Sequence, residues 1–362
     1  MNHSISRWQL VLLVISFIYG SSLLMAPGLT AAASYRDAWI SMLLAVVMGV
    51  LLNVVWMMLL KRYNYLSIFS IVENVTGKWI GMFINFLIIF FGIHLAAYIV
   101  RNFSNFMVIN VIPDSNEWTY QIMIILLAIY SCYYGLNNIA SVNEFLLPWM
   151  LLLFALSVAL IVNKFDLNQL KPVLNESFLS ITQGAYNTLG FPFIEIILLG
   201  AVFTFVTQKE KIMKSYLMAV VFAGFILVFT VFLTVGTEGP YMVTRISYST
   251  YAMMKDITII ELFERVEVVI AVVWIFGILI KICLCLFAAL KGLQHISKHN
   301  NYHPFLLPVG IITWVMSNEI HRNTRDFTDF VAKYWTLWWF TLYVILVLIM
   351  IIGIALKKDK QT

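Results

Sequence analysis

Apolar runs long enough to cross a bilayer recur along almost the whole chain, and no other feature restricts its fold so tightly. A helix needs about 20 mainly apolar residues to traverse the hydrocarbon core. Ten runs can be read: Trp8–Ala33, Trp39–Leu60, Trp79–Val100, Thr119–Leu136, Phe145–Val162, Ile181–Val206, Ser215–Val235, Val266–Leu290, Pro304–Met316 and Tyr334–Leu356, the ninth being short. Hydrocarbon offers no partner to an exposed backbone, so each run must be helical. With 62% hydrophobic and 11% charged residues, no stretch between the runs is left for a soluble domain. The chain, 1–362, therefore reads as a single all-α polytopic membrane domain of about ten spans.

Two of these runs are interrupted in matching places. The first carries Gly20-Ser21-Ser22 and then Pro27-Gly28, and the sixth carries Gly190-Phe191-Pro192. Glycine weakens a helix and proline lacks the N–H that a helix needs, so both stretches are expected to unwind near mid-bilayer. Freed backbone groups are tolerated at that depth only where they line a protein-enclosed cavity. Interrupted helices opening two halves of a chain mark the substrate site of inverted-repeat transporters. The expected architecture is thus a five-plus-five inverted repeat, about 8–162 and about 181–356, joined through the polar loop Asn163–Glu176, with helices 1 and 6 discontinuous. The expected pocket sets Gly20, Ser21, Ser22 and Leu23 against Leu189, Gly190 and Phe191, with Phe91 and Tyr98 as walls. N–H groups after the first break would receive a carboxylate, and carbonyls before the second would receive an ammonium.

Ionisable residues inside spans are costly and face a cavity or a partner. His94, Tyr98, Arg101 and Asn105 share one face of the third span, begun by Phe91. His94 and Tyr98 lie deep enough to line a cavity; Arg101 and Asn105, near the end, read equally well as snorkelling to headgroups. Glu195 follows the sixth-span break and either contacts a ligand or bridges helices. Lys281, midway along the eighth span, is expected to pair with Glu195 or Glu267 if its role is to bridge helices. A fixed positive charge there argues against a sodium site.

Other signals carry less. The start of the chain (Arg7, an apolar run, Ala31-Ala32-Ala33) has the outline of a signal peptide, but the run is about twice the usual 7–15 residues, so a retained span is expected. An even number of spans places both termini on one side, and Lys61, Arg62, Lys78, Lys209, Lys211, Lys214, Lys291, Lys298, Lys357, Lys358 and Lys360 favour the cytoplasm modestly over loops bearing Arg245, Lys255, Arg322, Arg325 and Lys333. Basic residues at the lipid surface account for the net charge of +5 without a nucleic-acid partner. Cys132, Cys283 and Cys285 fall within spans and read as small buried hydrophobes. His295, His299 and His303 have metal-like spacing, but Asn300-Asn301 and Pro304 interrupt the helix, so a solvated loop is expected and no metal or other cofactor. Pro240–Glu264 is amphipathic and is expected to lie along the outer interface as a cap. No phosphate-binding loop, GxSxG or HExxH motif is present, so nothing in the sequence supports an enzyme.

Gly20-Ser21-Ser22-Leu23-Leu24-Met25-Ala26-Pro27, Gly77-Lys78-Trp79, Lys171-Pro172-Val173-Leu174 and Glu264-Arg265-Val266-Glu267 with Trp274, in that order, resemble the B subunits of spore germinant receptors, relatives of the amino acid–polyamine–organocation transporters. The family often has Gly-x-Gly where this chain has Gly20-Ser21-Ser22, so the ligand's identity does not carry over. The resemblance implies an inner-membrane protein of the bacterial spore that binds an amino-acid-like germinant and works with an A subunit and a C-subunit lipoprotein. It also implies a second role for Lys281: in sodium-coupled members of this fold a cation lies between the first and eighth spans, and the ammonium would substitute for it, donating to carbonyls freed by the Gly20–Ser22 break. Two functions stay open: a nutrient sensor that signals to partner subunits, and an amino acid carrier, with or without proton coupling.

Overall fold

The computed structural model describes residues 4–255, 266–321 and 323–358. Glu264, Arg265, Arg322, Lys360 and the last part of the expected cap, 256–264, lie outside the described residues. The elements are helices α1 Arg7–Ser34, α2 Ala38–Arg62, α3 Ile68–Thr76, α4 Lys78–Phe106, α5 Glu117–Tyr134, α6 Leu136–Ile161, α7 Phe178–Thr188, α8 Ile212–Glu238, α9 Pro240–Val243, α10 Ser249–Lys255, α11 Val266–Ser297, α12 Leu306–Glu319, α13 Thr324–Lys333 and α14 Trp335–Lys358. Among the described residues, seven helical stretches are long and apolar enough to cross a membrane. One is Arg7–Arg62, 56 residues, which turns at Tyr35–Asp37 into α1 and α2. Helices α5 and α12, the expected fourth and ninth spans, are not among the seven. Large apolar side chains cover the outside: Trp79 is 75% exposed, Phe145 68% and Phe178 80%, as a hydrocarbon-facing surface requires.

Helix α1 is the centre of the bundle and packs against α2, α6, α7, α8 and α11. Its expected break does not form: α1 runs as one helix of 28 residues through Gly20-Ser21-Ser22 and Pro27. The packing gives the reason. A Cβ on Gly277 would lie 2.7 Å from Gly20 Cα, and one on Gly20 would strike the Gly277 carbonyl. The glycine therefore lets α1 and α11 cross backbone to backbone, the usual service of small residues between membrane helices. Pro27 cannot bond the carbonyl four residues earlier, that of Leu23, and Thr250 Oγ1 donates to that carbonyl instead at 2.8 Å. The helix continues because a neighbour satisfies the group that proline releases.

The second break forms where expected. After α7, Leu189–Ile194 is a widened turn in which Phe191 adopts φ −113°, ψ 102°, and a tight turn follows over Glu195–Ala201. Side chains of neighbouring helices satisfy the opened backbone. Gly190 N donates to Thr336 Oγ1 (2.9 Å), whose hydroxyl donates to Tyr186 O (2.6 Å). Asn53 Nδ2 donates to Phe193 O (2.9 Å), and Tyr216 OH holds Asn53 Oδ1 (2.6 Å). A Cβ on Gly190 would lie 2.5 Å from Thr336 Cα, so α14 passes directly over the break.

Two further differences follow from packing. Helix α4 continues to Phe106, beyond the expected Val100, so Arg101 and Asn105 are buried within the bundle instead of snorkelling at its edge. Arg101 meets Glu117 at 2.9 Å, which offsets its burial. The described part of the cap lies only partly along the surface: Tyr241 and Met242 are exposed, but the stretch after them turns inward. Ser249, Thr250, Tyr251, Met253 and Met254 of α10 are buried against α1, α8 and α11, and Tyr248 OH donates to Asn102.

Candidate functional site

A fully buried ion pair sits where α1, α11 and the segment after the α7 break converge. Lys281 Nζ on α11 meets Glu195 Oε1, and both side chains have no exposed surface. The ammonium also donates to Ser21 Oγ on α1 (2.6 Å) and lies 4.7 Å from the centre of the Phe17 ring and 5.1 Å from that of Phe191. The other carboxylate oxygen accepts from Trp335 Nε1 on α14 (3.1 Å). Stripping water from two ions costs several kcal/mol each, which attraction offsets only when the remaining hydrogen-bonding positions are filled. Here a hydroxyl, an indole and two ring faces fill them. Four elements that differ in sequence position are thereby tied to one point.

Beside the pair is a cavity of about 20 Å³ lined by Ser21, Tyr98, Asn102, Phe191, Phe327 and Trp335 among others. That volume admits roughly one water. Its roof is α13: Phe327 packs 5.5 Å from Tyr98 and Phe330 5.7 Å. His321, just before α13, accepts from or donates to Tyr98 OH through Nε2. Burial lowers the His321 pKa, with Arg101 acting in the same direction and Asp326 against it. The conformation is closed on this side.

Of the residues expected at the pocket, Ser21, Tyr98, Phe191 and Glu195 come together here, with Lys281 beside them. Ser22 is buried next to them, its hydroxyl without a hydrogen-bond partner among the described residues. The others occupy packing positions around the centre. Gly20 is at the crossing with α11, and Leu23 offers its carbonyl to Thr250. Phe91 stacks on Trp338 (4.8 Å) and meets Trp339 edge-on (5.1 Å), away from the cavity. Leu189 lines a lipid-facing groove with Leu52 and Phe340, and Gly190 faces Thr336. His94 stacks on Trp335 at 5.8 Å. Lys281 has Glu195 and Ser21 as partners; Glu267 lies fourteen residues away on the same helix, about 21 Å along its axis. Because α1 is unbroken, the ammonium contacts the Ser21 hydroxyl and not freed carbonyls. His295 and His303 take separate partners, Glu73 and Tyr133 O.

Trp335, Thr336 and Phe327 belong to the site and were not legible as such from spacing within the spans. For Phe327 a signal existed: Phe327, Phe330 and Val331 recur at i, i+3, i+4 in a segment otherwise read as a loop.

With this geometry in view, comparisons with known proteins give a consistent result. A family profile described as "Spore germination protein" matches residues 4–327. Among similar proteins, spore germination protein KB of Bacillus subtilis (strain 168) is 26% identical over 325 residues, 89% of this chain and 86% of that one. Spore germination protein GerQB of Bacillus cereus is 24% identical over 331 residues, 90% and 89% of the two chains. Two solved transporter structures share the fold at a TM-score of 0.63: Mhp1, a nucleobase-cation-symport-1 family transporter in a closed conformation with bromovinylhydantoin bound (10% identity, 91% of this chain, 75% of that one), and MhsT in complex with L-phenylalanine (13%, 98% and 99%).

Proposed function

Starting from a chain that belongs to the spore germination protein family, we propose that it is a nutrient sensor that binds a small amino-acid-like germinant between α1 and the α7 break and signals to partner subunits. The partners are an A subunit and a lipoprotein C subunit in the inner membrane of the spore, with the chain's termini in the cytoplasm. The observation that carries the reading is the Lys281–Glu195 pair beside an aromatic cavity at a helix break. A zwitterion can exchange partners with such a pair: its carboxylate accepts from the Lys281 ammonium, and its ammonium donates to Glu195. Exchange leaves no charge bare. An amine or an acid alone would leave one ion unpaired, at a cost of about 3–5 kcal/mol for a buried group. Parting the pair also releases Ser21 on α1 and Trp335 on α14, which converts occupancy into movement of helices. The test is germination of spores lacking only this chain, complemented by wild type or by Ser22→Leu. Loss of response to a defined amino acid on deletion, and a shifted dose–response with Ser22→Leu at unchanged protein level, support the sensor. An unaltered dose–response for Ser22→Leu would sink this pocket.

The transporter fold keeps a second reading in play, an amino acid carrier. Purified protein in liposomes separates the two: concentrative uptake of a radiolabelled amino acid by the chain alone favours the carrier.

A further inference from the structure

At the end of the molecule where α1 begins, a second polar cavity opens, independent of the germinant site. Its position is fixed by Ile5 N, which donates to Phe205 O at 2.8 Å, since Phe205 is one of the lining residues. The cavity measures about 290 Å³ and is lined by Ser67, Thr204, Lys291, Gln294 and His295 together with Ala201 and Phe205. Three elements meet there: the residue preceding α3, the segment after the α7 break, and the last turns of α11. The lipid-facing grooves, by contrast, are lined almost wholly by apolar side chains such as Met123, Leu126 and Leu127.

The charges in this cavity do not balance. No acid is among the lining residues, and Glu73 is taken by His295 at 2.6 Å. Lys291 has no carboxylate within 4.0 Å among the described residues. Its ammonium donates to Gln294 Oε1 (2.6 Å) and lies 5.2 Å from the Phe205 ring centre and 5.4 Å from that of Tyr302. Ring faces and one amide oxygen hold an ammonium in place, but they leave its charge unmatched and one of its three N–H groups free to point at a ligand. Ser67 makes no capping bond to the helix that it precedes, so its hydroxyl is free to donate. The chemistry that fits an ammonium and hydroxyl donors on the wall of a small cavity is an oxyanion.

We infer that this cavity is a binding site for a small oxyanion, a carboxylate or a phosphate, seated on Lys291 with Ser67 and Thr204 as further donors. The anion joins α3, α11 and the segment after the break, and so holds this end of the molecule shut. A free ion and a lipid headgroup phosphate share that chemistry.

Thermal unfolding of the full-length protein in neutral detergent tests the site, with inorganic phosphate or acetate titrated against chloride at constant ionic strength. Saturable stabilisation is expected, with its midpoint weakened about tenfold or more in Lys291→Gln, the size expected for losing a charge-assisted hydrogen bond. Should Lys291→Gln fail to fold, Thr204→Val serves, with a several-fold weaker midpoint expected. Nanodiscs of anionic against zwitterionic lipid, without added phosphate, identify the source: stabilisation by the anionic lipid alone that Lys291→Gln abolishes assigns a headgroup. No saturable response to phosphate, acetate or anionic lipid, or an equal response in both variants, overturns the site.

Discussion

Lys281 and Gly20 show how much one residue decides. Replacing Lys281 with methionine orphans a carboxylate that has no exposed surface, and such an orphan typically costs about 3–5 kcal/mol. The expected outcome is a large drop in the unfolding midpoint of Lys281→Met in detergent, with most of it restored in Lys281→Met/Glu195→Gln. Equal midpoints for the single and double variants would show that the charge is not what matters. Restored stability with a germination defect would separate the signalling role proposed for the pair from its structural one. Gly20→Ala is the sharper test of packing: its Cβ meets the Gly277 backbone, which has no side chain to move aside. Overpacking of this kind costs about 1–3 kcal/mol. Lower yield and a lower midpoint are expected, whereas Gly77→Ala, with open space around it but a φ of +79°, should suffer only from backbone strain.

At the scale of elements, pH bears on the segment that leads into α13. His321 has its pKa lowered from 6.5 by burial, so the folded protein binds a proton there less readily than the unfolded chain does. Its contribution to stability is complete above about pH 6.5 and is lost as the pH falls toward the lowered value. Protonation also removes the lone pair with which Nε2 can accept from Tyr98 OH. The unfolding midpoint should therefore fall on acidification below pH 6.5, and less steeply in His321→Gln; parallel curves would refute the assignment. Elements differ in how far they can be read in advance. The break after α7 was legible because Gly190 and Pro192 act on their own backbone. The continuity of α1 was not, because it rests on Thr250, 227 residues away, donating to the carbonyl that Pro27 leaves free. Helix α13 was within reach of its own periodicity. The site followed the same division: Ser21, Glu195 and Lys281 stood out as polar residues inside spans and Phe191 by its place between Gly190 and Pro192, whereas Trp335 is one of several tryptophans in an apolar helix, and only packing singles it out.

For the whole molecule, closure sets the kinetics. The cavity beside the ion pair admits about one water, so the proposed binding of an amino acid there requires its walls to part first. Tryptophan fluorescence in a stopped-flow experiment should show a rate that levels off as germinant concentration rises, since opening limits entry; a rate that climbs without limit would mean that the site is open. One further contact bears on how such movement leaves the bilayer. Ile5 pairs with the chain around Val206 in a single isolated bridge, with Ile5 N donating to Phe205 O and Thr207 N to Ile5 O. This clip fastens the root of α1 to the far end of the strip that bears Glu195. Through this bridge a tilt of the strip would pull on Ile5, at the root of α1. A neighbouring protein that grips this corner would feel what happens at the buried charge without reaching into the membrane.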